Sequence, residues 1–284
     1  MEPLLKWPGS KRKLVGRLAK LFNEVQPRSV FEPFSGAATL SLHLEVETAY
    51  INDINLALIN FYQLVRSGHK FNMSGLSLEK HLYYQFRSEL NDIITDPQFQ
   101  TNEASKMRAA KLFYYINHHG FNGLIRMNKS GRFSTPIGDK KRLIEPVGLE
   151  AFSQVTAKWK FTNECYSELS KFNADVNFID PPYLNGFTQY STQKHPFQFQ
   201  HLQAQMQLLD WQESLSGITI ATNGLNRELV RAYRHRGFRV FSIKMPRSVS
   251  CKSDGRKPVL EMLAIKGFPK GCHVSRLIEG ATPI

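Results

Sequence analysis

Short apolar runs that end in a polar or acidic loop and then pass into a helical pattern recur near both ends of this chain. They are "SVFEPFSGAATL", "AYINDINLAL", "ADVNFIDPPY" and "GITIATN". Strands that alternate with helices favour an open, mostly parallel sheet with helices on its faces. Ligands of such sheets bind beyond the carboxyl ends of the strands. The sequence therefore predicts an α/β fold in which "EPFSGA", "NDIN", "DPPY" and "TNG" meet at one edge.

The middle of the chain breaks this alternation. Residues 78–94 and 103–118 carry helical patterns, and "GLIRMNKSGRFSTPIG" is typical of a hairpin with "NKSG" as its turn. We interpret residues 60–158 as an insertion, mainly helical with one hairpin, between two halves of one α/β domain, 1–59 and 159–284. Two further strands, "GFRVFSIKM" and "VLEMLAIKG", are predicted in the second half.

The charge of the chain bears on its partners. There are 37 Lys and Arg against 24 Asp and Glu, which gives +13, and the pI is near 9.7. Such an excess favours a polyanion, first a nucleic acid and second an anionic membrane surface. The sequence contains no apolar run near 18 residues and no signal-peptide pattern, so no membrane contact is expected. Three cysteines without a CxxC pair are typical of a reducing cytoplasm.

The loops after the first two strands are candidates for binding a small ligand. Gly36 in "EPFSGA" allows a tight turn and a close approach of the backbone to a ligand. Asp53 in "NDIN" follows 17 residues later, a spacing at which an acid accepts hydrogen bonds from ribose hydroxyls. A plain strand–helix turn and a helix N-cap are the alternatives for these two loops. Together the loops favour a ligand that contains a ribose.

The stretch "FIDPPYL" ends an apolar strand with a rigid corner. Pro181 and Pro182 have no N–H group and a fixed φ, so they cannot continue a central strand. The corner would present the Asp180 carboxylate, the Pro181 carbonyl and the Tyr183 ring in a fixed array. Two acceptors beside a flat ring suit a planar amide or amine with N–H donors. A simple strand stop is the alternative.

Several motifs together resemble a known family, the DPPY-type, Dam-like DNA adenine-N6 methyltransferases of the D12 class. They are "LLKWPGSK", "FEPFSGA", "NDIN", "RAAKLFYYINHHGFNGLIRMNKSGRFSTPIG", "FIDPPY" and "PRSVSCKSDGRKPVLEML". They cover almost the whole chain, and their order is similar to that of the alpha subgroup. The resemblance implies a Rossmann-like class I methyltransferase sheet with an inserted target-recognition domain.

The resemblance also implies a cofactor, a substrate and site residues. The cofactor is S-adenosylmethionine and the substrate is double-stranded DNA, with an adenine flipped out of the helix before its N6 is methylated. Family members act as monomers in a bacterial or phage-infected cell, in some cases beside a restriction enzyme. The implied catalytic residues are Asp180, Pro181, Pro182 and Tyr183. The implied cofactor-binding residues are Trp7, Lys11, Phe34, Gly36, Asp53 and Asp180.

The recognition segment is basic and aromatic, and the resemblance assigns it DNA contacts. Phe121 would wedge into the base stack, and Arg126 would read a guanine through N7 and O6. Ser134 and Asp139 stand where members specific for GATC carry Asn and a basic residue, which argues against that sequence. The other implied DNA contacts are Asn122, Pro136, and Arg247 and Lys252 in a basic loop.

Two other function classes stay open at this stage. One is a methyltransferase for another planar nitrogen: RNA adenine, cytosine N4 or a protein glutamine. The other is an inactive DNA-binding relative. No metal site is expected, because His195 and His201 show no zinc-ligand pattern. His118 and His119 are adjacent and cannot share one helix side, so an exposed or capping role is expected for them.

Overall fold

A computed structural model describes residues 1–128, 130–169, 172–184, 201–246, 258–268 and 273–284. The strands in these ranges are β1 (Ser29–Glu32), β2 (Thr48–Asn52), β3 (Lys160–Thr162), β4 (Val176–Ile179), β5 (Ile218–Gly224), β6 (Arg239–Met245), β7 (Val259–Lys266) and β8 (Ala281–Pro283). The helices are α1 (Arg12–Arg17), α2 (Ala19–Val25), α3 (Thr39–Leu44), α4 (Leu56–Arg66), α5 (Lys80–Thr95), α6 (Glu103–His119), α7 (Leu149–Val155), α8 (Leu202–Gln212), α9 (Arg227–His235) and α10 (Val274–Leu277).

All the described strands belong to one sheet in the order β3-β2-β1-β4-β5-β7-β6-β8. The first five strands in this order pair in parallel. Strand β7 runs antiparallel between β5 and β6, and β8 is antiparallel to β6. The predicted α/β fold with a mostly parallel, Rossmann-like sheet is confirmed, and the two strands predicted in the second half are β6 and β7.

The strand directions bring four chain segments to one edge of the sheet. Strands β2, β1, β4 and β5 are neighbours and parallel, so their carboxyl ends lie side by side. Pro33 follows β1, Asp53 follows β2 and Asp180 follows β4. The "TNG" segment differs from the prediction, because it forms the last three residues of β5 rather than a loop.

The core has two parts, one on each face of the sheet. Val30 and Phe178 belong to one buried cluster, whereas the residues next to them, Phe31 and Ile179, belong to the other. Successive side chains of a strand point to opposite faces, so the two clusters are the two faces. Helices α8 and α9 cover one of them. Helices α1, α2 and α4 cover the other, and that core continues without a break into α5 and α6.

The segment between β2 and β3 contains α4 to α7 and a hairpin. Helices α5 and α6 match the two helices predicted there. The hairpin is held by antiparallel bridges between Gly120 and Ile137 and between Met127 and Phe133. The predicted first boundary, residue 60, falls inside α4. The division into domains, with a recognition domain at 60–158, stays a prediction.

Of the two roles expected for the adjacent histidines at the end of α6, exposure is wrong for His119, and His118 is half-buried; the capping alternative agrees with the contact of His119 to a carbonyl of the last helical turn. His119 is fully buried; its Nδ1–H donates to the Tyr115 carbonyl, and its Nε2 accepts from the Ile144 N–H. The His118 Nε2–H donates to the Leu4 carbonyl, and burial lowers the pKa of His118 to about 4. The N-terminal segment and the segment after the hairpin cover the two sides of this helix end, which the local pattern could not reveal.

Gly217, which precedes β5, provides a test of this packing. Its φ is +79°, and a Cβ atom there would lie 2.1 Å from the Ala174 carbonyl oxygen. We expect Gly217→Ala to lower the free energy of unfolding by about 2–4 kcal/mol, because backbone must move to accommodate the methyl group. Urea denaturation measures this. As a control, Gly16→Ala in α1 meets nothing within 4 Å and should be neutral or slightly stabilising. Equal stability of G217A and wild type would contradict the described packing.

Candidate active site

The corner after β4 lies at the carboxyl edge of the sheet, between the ends of β1 and β5. Asp180 is the first residue after the strand, and its side chain is 20% exposed. Its Oδ1 accepts a hydrogen bond from Thr222 Oγ1 at 2.5 Å and pairs with Lys11 Nζ at 3.0 Å. Among the described residues, both contacts go to Oδ1. The second oxygen, Oδ2, keeps its acceptor capacity with respect to the described residues.

Lys11 is a nearly buried cation at this corner. Its ammonium group donates to the Gly9 carbonyl at 2.8 Å, and it lies 4.8 Å from the centroid of the Tyr183 ring. A buried ammonium is tolerated only when it is paired and hydrogen-bonded, and Asp180 and Gly9 meet that requirement. The structure thus brings Lys11, predicted from the resemblance to bind the cofactor, into contact with two predicted catalytic residues.

Tyr183 is held at the far end of its ring. Its hydroxyl donates to Glu261 Oε2 at 2.8 Å. Burial raises the pKa of Tyr183 well above its ordinary value, so the phenol keeps its proton and acts as a donor. Gly224 lies next to the ring, since a Cβ atom there would be 3.9 Å from Tyr183 Cδ2. Burial also raises the pKa of Glu261, while Lys11 and the Tyr183 hydroxyl act in the opposite direction.

The backbone of the corner is fixed by two buried amides. Gln205 of α8 donates from Nε2 to the Pro182 carbonyl at 3.0 Å and accepts from Asn223 Nδ2 at 2.9 Å. Asn223 Oδ1 accepts from the Leu184 N–H at 3.2 Å. Two prolines and this network leave the corner little conformational freedom.

The loops after β1 and β2 are joined by a carboxylate. Asp53 Oδ2 accepts from the Gly36 N–H and Oδ1 from the Asn55 N–H, both at 2.9 Å. Burial raises the pKa of Asp53 to about 6, although these two hydrogen bonds favour its ionised form. The N-cap of α4 is Asn55, whose Oδ1 accepts from the Leu58 N–H. The alternative of Asp53 as that N-cap is therefore wrong.

Aromatic side chains flank these loops. Gly36 has a φ of +47°, and a Cβ atom there would lie 2.5 Å from Trp7 Cδ1, so the indole ring packs directly on this glycine. The Phe34 ring, in the same loop, packs against Tyr166 with a distance of 5.5 Å between ring centroids. The predicted cofactor residues Trp7, Phe34, Gly36 and Asp53 therefore lie close together at the carboxyl edge of the sheet. The close approach of Trp7 explains why position 36 carries no side chain.

Glu32, the last residue of β1, links this strand to helix α3. It is 2% exposed, and its Oε1 accepts from both the backbone N–H and the hydroxyl of Ser41 at the start of α3. Burial is the largest influence on its pKa and raises it to about 7, and the negative charge of Asp180 acts in the same direction. Glu32 thus sits at its titration point near neutral pH.

The predicted DNA-binding residues of the hairpin lie together at the surface. Phe121 is 43% exposed, and its N–H donates to the Pro136 carbonyl. Asn122 has a φ of +54°, a left-handed conformation that Asn tolerates better than most residues. The Arg126 carbonyl accepts from the Ser134 N–H at 2.8 Å across the hairpin. Two other predicted contacts, Arg247 and Lys252, lie outside the described residues.

The N-terminal segment connects this hairpin to the corner. The Lys6 N–H donates to Asn117 Oδ1 at 2.9 Å, and Asn117 Nδ2 donates back to the Lys6 carbonyl at 2.7 Å. A Cβ atom on Gly123 would lie 2.5 Å from the Lys6 side chain, so the two segments are in close contact. Further along this segment, Trp7 packs on Gly36 and Lys11 pairs with Asp180.

Gln205 lies outside every segment singled out in the sequence, whereas Thr222 belongs to "TNG" and Glu261 to the motif "PRSVSCKSDGRKPVLEML", although neither was assigned a role. Glu261 carried a signal, because an acid interrupts the otherwise apolar "VLEMLAIKG". In the described part of the chain, no group of three His, Cys, Asp or Glu residues could hold a metal ion. Nor does any described helix have the length and apolar character required to cross a membrane.

Comparisons with known proteins concern most of the chain. Residues 7–247 match the family described as D12 class N6 adenine-specific DNA methyltransferase. The Retron Ec67 DNA adenine methylase of Escherichia coli is 28% identical over 94% of this chain and 92% of its own length. A DNA adenine methylase of Vibrio cholerae is 30% identical over 92% and 94%, respectively. The DNA N-6-adenine-methyltransferase of Escherichia phage P1 is 28% identical over 92% of this chain, which spans 35% of that protein.

Glu32 leads to a prediction about stability and pH. Its pKa is about 7 in the folded protein against an ordinary 4.5, so the folded state retains a proton that the unfolded state releases. The stability that this difference supplies is complete below the unfolded pKa and is lost as the pH rises through the folded pKa. Glutamine cannot ionise. Between about pH 4.5 and about pH 8, wild type should therefore lose about 3 kcal/mol of free energy of unfolding that Glu32→Gln retains.

Urea denaturation at a series of pH values measures this difference. The matched control is Glu279→Gln, because Glu279 is exposed near the C-terminus and should show no pH-dependent difference. Parallel stability curves for E32Q and wild type would contradict a raised pKa at Glu32.

Proposed function

The chain belongs to the D12 class of N6 adenine-specific DNA methyltransferases, and from this premise we propose that it methylates the exocyclic N6 of an adenine flipped out of double-stranded DNA. The proposed methyl donor is S-adenosylmethionine. The observation that carries the proposal is the Asp180 carboxylate, which stands at the end of β4 with Oδ1 occupied by Lys11 and Thr222. Its Oδ2 is the acceptor that an amine needs.

A duplex substrate is supported by charge and by the exposed hairpin. The net charge of +13 attracts a polyanion and favours contacts with phosphates. Phe121 is exposed on the hairpin, and an aromatic side chain there can insert into the base stack at the gap left by an everted base. Arg126 next to it suits the acceptor pair of guanine. We therefore assign residues 60–158 to target recognition.

The recognised sequence is proposed to differ from GATC or to be more relaxed. Asp139 is exposed after the hairpin, and a negative charge there opposes contact with a phosphate or with guanine acceptors. Ser134 offers a hydroxyl, which is compatible with more than one base. The two residues would allow a broader set of flanking bases than an amide and a cation would.

The residues around Gly36 fit the proposed cofactor. Trp7 covers Gly36 so closely that no Cβ atom could be accommodated, and Asp53 presents a carboxylate at the end of the neighbouring strand. A carboxylate there suits the two hydroxyls of a ribose. Among the described residues, the buried Ser35 hydroxyl of the same loop has no hydrogen-bond partner, which leaves a polar atom for a ligand. When bound, S-adenosylmethionine supplies an electrophilic methyl group on a sulfonium.

The corner activates the amine by hydrogen bonding. The lone pair of the adenine amine is delocalised into the ring, which makes the nitrogen a poor nucleophile. N–H bonds donated to Asp180 Oδ2 and to the Pro181 carbonyl favour a tetrahedral nitrogen whose lone pair is free. The rigidity of the corner then positions this nitrogen, so catalysis depends on orientation rather than on a covalent intermediate. The released proton passes by way of Asp180 to water.

Tyr183 binds the base through its ring. Stacking of a base on an aromatic side chain contributes about 1–3 kcal/mol, which offsets the few kcal/mol required to unstack and unpair the adenine. Since Pro182 precedes Tyr183 and the Leu184 N–H is bonded to Asn223, the backbone on both sides of the ring is fixed.

The proposal is tested by incubating unmethylated genomic DNA with the protein and S-adenosylmethionine and mapping modified bases by single-molecule sequencing. We expect N6-methyladenine in a defined sequence context. Asp180→Ala should lower the methylation rate by at least about 100-fold, because the amine loses its acceptor. DNA affinity in a gel-shift titration should change little. Methylation of cytosine or of RNA alone, no methylation at all, or full activity of D180A would overturn the proposal.

Gly36→Ala tests the cofactor assignment separately. The added methyl group would displace the Trp7 ring and strain the positive φ, so we expect at least a tenfold loss in affinity for S-adenosylmethionine, about 1.4 kcal/mol. Isothermal titration calorimetry measures this. The control is Gly75→Ala, which has a φ of +75° but nothing within 4 Å of the new methyl group. Equal affinities of G36A and G75A would place the cofactor elsewhere.

A further inference from the structure

Glu261 lies on β7, the strand that runs against its neighbours. In the register of the sheet it is opposite Gly224 on β5 and Ile243 on β6. Its Oε2 accepts the Tyr183 hydroxyl at 2.8 Å. Tyr183 and Glu261 are 78 residues apart in sequence. Because Gly224 carries no side chain, the ring can pass over β5 and reach this carboxylate.

The position of Glu261 is unfavourable for a carboxylate in purely structural terms. The residues that follow it on β7, Met262 to Ile265, are all buried and apolar. Burial raises the pKa of Glu261, and the nearby Asp180 carboxylate acts in the same direction. A half-buried charge such as that of Glu261 reduces stability unless its partners compensate, and an apolar residue would usually stabilise the fold more. The carboxylate therefore calls for a role beyond packing.

The role follows from what holds Tyr183. The backbone is fixed on either side of the residue, by Pro182 before it and by the Leu184–Asn223 hydrogen bond after it. Fixing the backbone leaves χ1 and χ2 of the ring free to change. The hydroxyl is the ring substituent farthest from the backbone and lies on the χ2 axis, so a hydrogen bond there fixes the direction in which the ring points. Because a phenolic O–H prefers to lie in the plane of its ring, the same bond also favours the ring rotation that aims the O–H at its acceptor. In the part of the chain that the structure describes, Glu261 accepts this hydrogen bond, and the Thr222 side chain is a second hydrogen-bonding neighbour of the hydroxyl.

We propose that Glu261 is a positioning residue, which orients the Tyr183 ring for stacking with the everted adenine through the hydrogen bond to the tyrosine hydroxyl. This inference rests on the proposed function, since it concerns the same corner. Glu261 does not touch the base; it acts through Tyr183. Its carboxylate also faces Lys11 and Asp180, and pairing with Lys11 alone is the competing explanation.

A double-mutant cycle separates these explanations. The variants are Glu261→Ala, Glu261→Gln, Tyr183→Phe and the double variant E261A/Y183F. The readouts are the single-turnover methylation rate, the DNA affinity, and the fluorescence of 2-aminopurine placed at the target adenine, which reports base flipping and stacking. The control is Glu279→Ala at an exposed position, and thermal melting verifies that each variant is folded.

We expect E261A and Y183F each to lower the single-turnover rate by about tenfold, with changed 2-aminopurine fluorescence and DNA affinity within about twofold of wild type. The double variant should be no more than about twofold slower than either single variant, because both changes break the same hydrogen bond. E261Q should stay within about threefold of wild type, since its carbonyl oxygen accepts the hydroxyl without a charge.

The inference would be overturned if the rate losses of the two single variants multiplied in the double variant. It would also be overturned if E261Q were as slow as E261A, and that result would assign the role to the negative charge beside Lys11. If E261A does not fold, the inference is tested by Y183F and E261Q alone. A slow Y183F together with an active E261Q supports the inference, and any other combination of rates overturns it. An inactive wild-type protein would instead refute the proposed function, so the two failures are distinguishable.

Discussion

The ion pair between Lys11 and Asp180 is the contact on which the organisation of the site depends. It joins the N-terminal segment to the end of β4, 169 positions later in the chain, at an N–O distance of 3.0 Å. Thr222 shares the same carboxylate oxygen, so three separate parts of the chain are tied to one atom. A nearly buried pair of this kind contributes little net stability, because desolvation offsets much of the attraction. Its value lies in fixing geometry: it occupies Oδ1 and leaves Oδ2 for a ligand.

The sequence predicted the parts of the site that are local and missed those that depend on pairing. The corner at Asp180 and the loop at Gly36 were predictable because prolines and a glycine restrict the backbone wherever they occur. Asp53 was predicted by spacing, and the structure adds its bond to Gly36. Glu261 could not be placed, since its position beside Tyr183 requires β7 to lie antiparallel between β5 and β6. Nothing in a single apolar run specifies the direction or the neighbours of a strand.

One buried and two half-buried carboxyl groups lie at the carboxyl edge of the sheet. Burial raises the pKa of Glu32 to about 7 and that of Asp53 to about 6, and it raises that of Glu261 as well. Each group disfavours the folded state at neutral pH relative to an apolar residue of similar size. Groups that oppose folding but lie together at one edge are typical of a site that binds ligands. The two faces of the sheet are covered by helices and packed mainly with apolar side chains. The groups that reduce stability are therefore found at the edge, where a ligand would bind.

The N-terminal segment also sets the distance between recognition and chemistry. Asn117, at the end of the helix that leads into the hairpin, makes two hydrogen bonds to the backbone of Lys6. Five residues later, Lys11 binds Asp180. A short segment held at both ends cannot stretch, because each residue spans at most about 3.6 Å. If the hairpin reads the duplex as proposed, this segment fixes how many base pairs separate the bases that are read from the adenine that is methylated. Sequence preference can then change through side chains such as Ser134 without any change in the position of the methylated base.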